Sequence, residues 1–474
     1  MQISGASGAL SATLQPKIAS LAVDPASHTI VVTPQIPFGR SLLHVSDASG
    51  ASVDVVVRIA QNAGTIPKNL LLRVTGDALD PLWLRSQITQ RVNRATLLQA
   101  GAQAHLGDFT PPVLPAGASA SVAVPVTLAG SDERYFTVTD TANVMLEHVP
   151  ASPFSPALLY YDDDPEQLAD DGVLYRGTVS ASAPVRLYYY HENGRDPRQL
   201  IVMLSAAQAP SSVQIIDSTA GPNADVLTVG HNATRNFLQL KPANQGTVID
   251  VAPDEPFSLQ AIPMGSFELV AGVVDLRVRD GGPVTIVVLA APSGATPTQI
   301  ALLSTQAQVP GDGHKRTGAF ALTSDYTVQT LSYTVGGPDA SALYGATSPP
   351  PAGGGQLGKD YGDYGVLRTL NFEAANPAGS PATVYLYEKP QGGVVRSSFL
   401  VNGVLHEVGC ARVAHAYLIA PLTLAPGGHA TFSVTTMTDG GSSYPLEVGM
   451  TATPPESAVP PIFSADGCFP KPGF

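Results

Sequence analysis

Two stretches far apart in the chain follow the same order of residues. DGVLYRGTV from Asp171 leads into PVRLYYYHENG from Pro184, and YGVLRTLNF from Tyr364 leads into ATVYLYEKPQGG from Ala382. In both, Gly-Val-Leu precedes an Arg and a Thr, and a V-x-L-Y run follows that stops at a Gly turn. A second shared element lies downstream: VAPDEPFSLQAI at Val251 answers LAPGGHATFSVT at Leu424, and LPAGASASVAVPV at Leu114 is a weaker relative. Each joins a Pro-containing turn to apolar residues at every second position, the period of a strand with one buried face. Such a repeat constrains the fold strongly, because every copy must bury its own alternating face.

Length and composition set how many copies to expect. At roughly 150 residues per domain, 474 residues make about three domains. Pro-rich or Gly-rich junctions near Pro153 and Pro310 place them at 1–152, 153–310 and 311–474. The 45 glycines and 42 prolines supply frequent turns, and a charged fraction of 13%, against a usual value of about 25%, argues against long salt-bridged helices. The expected fold is mainly β, with about three tandem β-sandwich domains. The turn that feeds a half-buried late strand resembles the pattern of immunoglobulin-like sandwiches, although the Cys, Trp and Cys spacing of antibody domains is missing. One helix stands out in the first domain, over Asp80 to Gly101. Asp80 can cap it, Pro81 suits its first position, and Leu84, Ile88, Val92, Ala95 and Leu98 recur at helical spacing. Trp83, the single tryptophan, is expected as a core anchor of that helix.

Several function classes are disfavoured. A formal charge of −13 with 25 scattered basic residues leaves no stripe to neutralise successive phosphates, so nucleic acid is not an expected partner. The longest apolar runs, such as Val284 to Ala291, are strand-sized and too short to span a bilayer as a helix, so no transmembrane segment is expected. The opening residues lack the basic and apolar regions of a secretory leader. The two cysteines, Cys410 and Cys468, are expected to pair in an oxidising compartment and pin the Pro-rich tail.

The most suggestive chemistry lies in LYYDDDPEQLADDGVLYRG, from Leu159 to Gly177. Asp162, Asp164, Glu166, Asp170 and Asp171 offer oxygens for calcium, although the EF-hand spacing is broken where it needs an Asx and a Gly. A solvated turn is the competing reading. In the third domain SPPPAGGGQLGKDYGDYG, Ser348 to Gly365, takes the same place with few carboxylates and reads as a surface loop, so calcium would serve the second domain alone. His406, Glu407, Cys410 and His415 are a candidate zinc or copper set, but Gly409 argues for a strand or turn, on which His415 faces away. Asn232 sits in a formal glycosylation tripeptide, and His314, Lys315 and Arg316 form a basic knot between the second and third domains. No G-x-S-x-G elbow or P-loop occurs.

These features favour a non-catalytic, extracellular or cell-surface structural or adhesive protein, self-associating as the subunit of a repeating assembly or filament. Either tail would supply a strand to a neighbour. A rival reading is a carbohydrate-binding or carbohydrate-processing protein with a glycan partner, in which tyrosines such as Tyr160, Tyr161 and Tyr188 to Tyr190 lie beside Asp162 and Glu192, and Tyr189 would contact the sugar. A third is a virion or phage-tail component.

Overall fold

A computed structural model describes residues 1–130, 132–253, 255–352 and 358–456, the side chains at 325 and 326 apart. The chain is mainly β and forms two compact units: Met1–Val74 with Ala78–Val149, and Thr75–Asp77 with Pro150 onward. Among the described residues no helix is long and apolar enough to cross a membrane.

The first unit holds two cores. Strands Ser11–Gln15, Gly39–Ser46 and Ser52–Ile59 form one small sheet beside the hairpin Ala19–Asp24 with Thr29–Pro34, over Leu14, Ile30, Leu43 and Val45. In the other, helix α1 (Pro81–Ala95) places Leu84, Ile88 and Val92 against the apolar face of Ser119–Gly130 and Val138–His148. Asp80 caps it as its spacing predicts, accepting from the Trp83 amide at 2.8 Å. The helix is shorter than expected: Thr96 turns extended, and Leu97–Leu98 pairs with Gly64–Thr65. Leu98 therefore belongs to a strand. Trp83 packs only partly buried at the edge of the core.

The second unit contains two sandwiches. In the first, a sheet ordered Gly246–Val251, Ser211–Asn223, Leu269–Asp280, Val185–Asn193, Leu158–Asp162 and Thr317–Ala321 faces one ordered Gly172–Val179, Val284–Pro292, Arg198–Ala206 and Phe257–Met264. Between them lies a core built on Leu187, Tyr189, Leu200, Val202, Val274 and Val288. In the second sandwich, Val328–Thr334, Arg368–Ala375, His429–Thr436, Val395–Val401 and Val404–Ala411 face Ala340–Tyr344, Leu446–Thr451, Ala382–Pro390 and Tyr417–Leu424. Phe372, Leu386, Phe399 and Val448 are central to its core. The repeat is visible in this arrangement. In each sandwich the GVL-containing run leads into a strand that pairs antiparallel with a late strand, and the following V-x-L-Y strand crosses to the facing sheet.

Two elements lie outside the expected pattern. Helix α2 (Val226–Leu240), capped by Asp225 and burying Leu227, Phe237 and Leu238, covers the outer face of the first sandwich's larger sheet. Its Val, Thr, Asn and Gly residues are weak helix formers, so its propensity does not announce a helix. The glycosylation tripeptide at Asn232 lies within it. Helix α3 (Pro297–Leu303), with a Thr296–Gln299 capping box, packs Ile300 and Leu303 on the outer face of the smaller sheet.

Candidate functional site

The two sandwiches of the second unit meet across a buried polar seam. Arg186 on Val185–Asn193 makes a two-pronged pair with Asp275, at 2.7 and 3.1 Å, and both are almost fully buried. Lys241, just past α2, reaches the same carboxylate at 2.7 Å. Burial alone would raise the Asp275 pKa, but the two cations outweigh it and hold the group ionised. The remaining Arg186 nitrogen donates to the Gly365 carbonyl at 3.0 Å, and so fastens the segment before strand Arg368–Ala375.

Over 358–365, the described part that precedes the strand, that segment is not the surface loop its composition suggests. Asp360 and Asp363 are fully buried. Asp360 accepts from the Tyr364 amide at 2.8 Å and closes a turn, and Asp363 accepts from the Gly345 amide at 3.2 Å, which ties the segment to the end of strand Ala340–Tyr344. Tyr364 then joins Tyr161 and Tyr188 from the first sandwich, with ring centroids 6.5 and 6.0 Å away, and Tyr444 at 5.8 Å edge-on. Tyr161 and Tyr188 are buried and Tyr364 and Tyr444 half-buried, and desolvation pushes all four pKa values up, so their hydroxyls stay neutral.

At the edge of this aromatic cluster is a cavity of about 200 Å³, lined by Asp163, Glu166, Tyr188, Tyr190, Arg316, Tyr364 and the turn Gly440 to Ser442. The turn must be glycine here: a Cβ on Gly440 would stand 2.8 Å from the Tyr188 hydroxyl and 2.9 Å from the Tyr190 ring. Asp163 is 5% exposed. Its Oδ2 accepts from the Tyr161 hydroxyl at 2.9 Å and from Arg316 at 3.4 Å, while its Oδ1 has no partner among the described residues. Burial pushes the Asp163 pKa up to about 7, with Glu166 adding repulsion and Tyr161 and Arg316 opposing. The same Arg316 nitrogen donates to Glu166 at 2.6 Å.

The carboxylates predicted for calcium take separate partners. Asp162 lies fully buried 3.2 Å from His191, Asp164 accepts from the Asp312 amide at 2.6 Å, and Glu166 takes Arg316. Asp171 takes Arg198 at 3.0 Å, and Asp170 is exposed. Among the described residues no group of three or more His, Cys, Asp or Glu side chains is placed to hold a metal. Of the four residues considered for zinc, His406 lies opposite Phe399 on strand Val404–Ala411, Glu407 binds His231 and Arg235 of α2, His415 pairs with Glu456 on the surface, and Cys410 is buried against Leu227. Cys468 lies outside the described residues, and the expected disulfide with it.

Tyr189 is no ligand platform. Alternation turns it inward to the sandwich core, where its hydroxyl meets Thr219 at 2.7 Å, and it is Tyr188 and Tyr190 that line the cavity. Within the basic knot, His314 turns to Asp312 and Arg316 enters the cavity. Spacing by two selects Asp162 and Asp164 and leaves out Asp163. A DDD run at a strand end places the middle residue on the opposite face, which is the signal that finds it.

A second polar cluster lies beyond the cavity. His231 of α2 is held between Asp439, 2.5 Å from Nδ1, and Glu407, 2.9 Å from Nε2. Burial would lower the His231 pKa, but the two carboxylates raise it to about 9, while burial pushes Asp439 up to about 6.

No protein family and no curated protein matches the sequence. Solved structures to which the chain is similar include the M60 catalytic domain with two CBM51 domains of Clostridium perfringens ZmpB, at 7% identity and a TM-score of 0.17 over 93% of this chain and 51% of that one. Tripeptidyl peptidase 2 matches at 10% identity and a TM-score of 0.16, over 88% of this chain and 32% of that one. The tandem CBM22 domains of Paenibacillus barcinonensis Xyn10C match at 10% identity and 0.13, over 64% and 92%. The chain thus spans about half or less of the first two. Scores at this level carry no argument about function.

Proposed function

We propose that the protein is a non-catalytic, extracellular or cell-surface binding protein whose cleft between two β-sandwiches takes one sugar-sized, polyhydroxylated ligand. The carrying observation is the cavity itself, in which tyrosine rings, two carboxylates, a guanidinium and a glycine turn converge. Aromatic faces suit the apolar side of a sugar ring, and carboxylate and guanidinium groups suit its hydroxyls. Its volume of about 200 Å³ falls below the roughly 300–1,000 Å³ of drug-sized pockets, which suits a single ring or a chain end. This favours a binding role over the structural and adhesive reading, which identifies no occupant for the cavity.

Calorimetry and a glycan array on the full chain test the proposal. Binding of a monosaccharide or a glycan terminus is expected, weakened about tenfold by Tyr190→Ala, a loss of about 1.4 kcal/mol. Silence across neutral and charged panels from a protein with an intact melting transition would remove it.

A further inference from the structure

We infer that the cleft is a cation site, selecting a ligand that carries a protonated amine or quaternary ammonium group. This rests on the sugar reading only for the rest of the ligand, which then becomes an amino sugar. Three observations carry it. Two carboxylates, Asp163 and Glu166, face a single guanidinium, Arg316, so the ionised lining has one negative charge in excess. Arg316 and Tyr161 both use the Oδ2 of Asp163 and leave the buried Oδ1 without a partner, where a donor is required. Tyr188, Tyr190 and Tyr364 also line the cleft, and aromatic rings attract a cation where a neutral hydroxyl gains less.

The site also couples binding to pH. Around Asp163 stand Tyr161 and Glu166 from its own strand end, and Tyr188, Tyr190 and His191 from the neighbouring strand. Arg316 comes from the segment before strand Thr317–Ala321, and Asp360 and Tyr364 from the second sandwich. The tyrosines stay neutral, and Arg316 stays charged, across the neutral range. Asp163, with its pKa pushed up to about 7, changes charge there, and His191 beside it, which burial would lower but Asp162 raises above 6.5, also loses positive charge as pH rises. Ionised Asp163 favours a cation, so affinity rises with pH.

Tetramethylammonium, whose charge is fixed, isolates this effect on the full chain. Its affinity is expected to rise about tenfold between about pH 6 and pH 8. Glucosamine is expected to bind at least about tenfold tighter than glucose or N-acetylglucosamine, the gain from one desolvated cation–ring contact with an adjacent carboxylate. Asp163→Asn should remove the preference for glucosamine over glucose and most of the pH dependence. Should Asp163→Asn melt early, Glu166→Gln, on a more exposed side chain, is expected to weaken tetramethylammonium and glucosamine more than glucose. Equal affinity for glucosamine and glucose, with no tetramethylammonium binding, would overturn the cation site and leave the sugar reading standing. Tetramethylammonium binding without any sugar would do the reverse, and no binding by any probe overturns both.

Discussion

His231 shows how a single side chain can fasten two domains. It enters from α2 of the first sandwich and is gripped by Asp439 and Glu407 of the second, with Arg235 holding Glu407 from behind at 2.8 Å. Because its folded pKa of about 9 lies above the ordinary 6.5, its contribution is complete below about pH 6.5 and is lost as pH rises through about 9. The melting temperature is therefore expected to fall between about pH 7 and pH 10, with a smaller fall in His231→Gln; identical pH profiles for the two proteins would refute the assignment. His231→Ala leaves Asp439 buried without its cation and is expected to cost about 3–5 kcal/mol in denaturant unfolding. Nothing near residue 231 in the sequence points to this. HNATR reads as a glycosylation tripeptide, and the two acids that give the histidine its role lie 176 and 208 positions away. The acidic run at Asp162 was legible as special, but its meaning was not. Which of three adjacent aspartates faces the cavity depends on strand register, and register is fixed by partners far along the chain.

At the scale of elements, the strands were legible and the helices only in part. Alternation marks a half-buried strand wherever it occurs, so the repeat located strands without any knowledge of their sheets: Phe257–Met264 and His429–Thr436 are both strands, but the first is a sheet edge and the second lies between two partners. Helix α1 carried its signals in order, with Asp80, Pro81 and a run of apolar residues at helical spacing. Helix α2 has a cap in Asp225 and apolar residues at helical spacing, but Val226, Thr228, Val229, Gly230 and Thr234 are poor helix formers that mask them, and its stability comes from burying Leu227, Phe237 and Leu238. Gly230 sharpens the point. In an exposed helix Gly→Ala stabilises by about 1 kcal/mol, but here a Cβ would lie 2.0 Å from the Gly440 carbonyl oxygen. Gly230→Ala is thus expected to lower the melting temperature and to weaken ligand binding, because the backbone it displaces belongs to the cavity turn. A stabilised variant with unchanged binding would show that α2 and the turn are not in close contact.

At the scale of the whole molecule, the repeat suggests two independent sandwiches in series, and each does have its own core. What the repeat could not reveal is how many of the seam's contacts are buried: Arg186 on Gly365, His231 on Asp439, and Tyr161 and Tyr188 against Tyr364. Separating the sandwiches would expose those rings and leave Asp439 without its cation, a cost comparable with the stability of a small domain. Neither sandwich is then expected to open alone. Hydrogen exchange of the full chain should give strands Val185–Asn193 and Val395–Val401 the same opening free energy, and raising the pH through about 9 should lower both together. Strands with distinct opening energies, only one of them sensitive to pH, would mean that the seam is a contact and not a shared core. A shared core has a functional consequence, because the cavity walls come from both sandwiches and keep their spacing only while the two move as one body. A ligand seated between Tyr190 and Tyr364 should therefore raise the protection of both strands by equal amounts, by mass action on a single folded state.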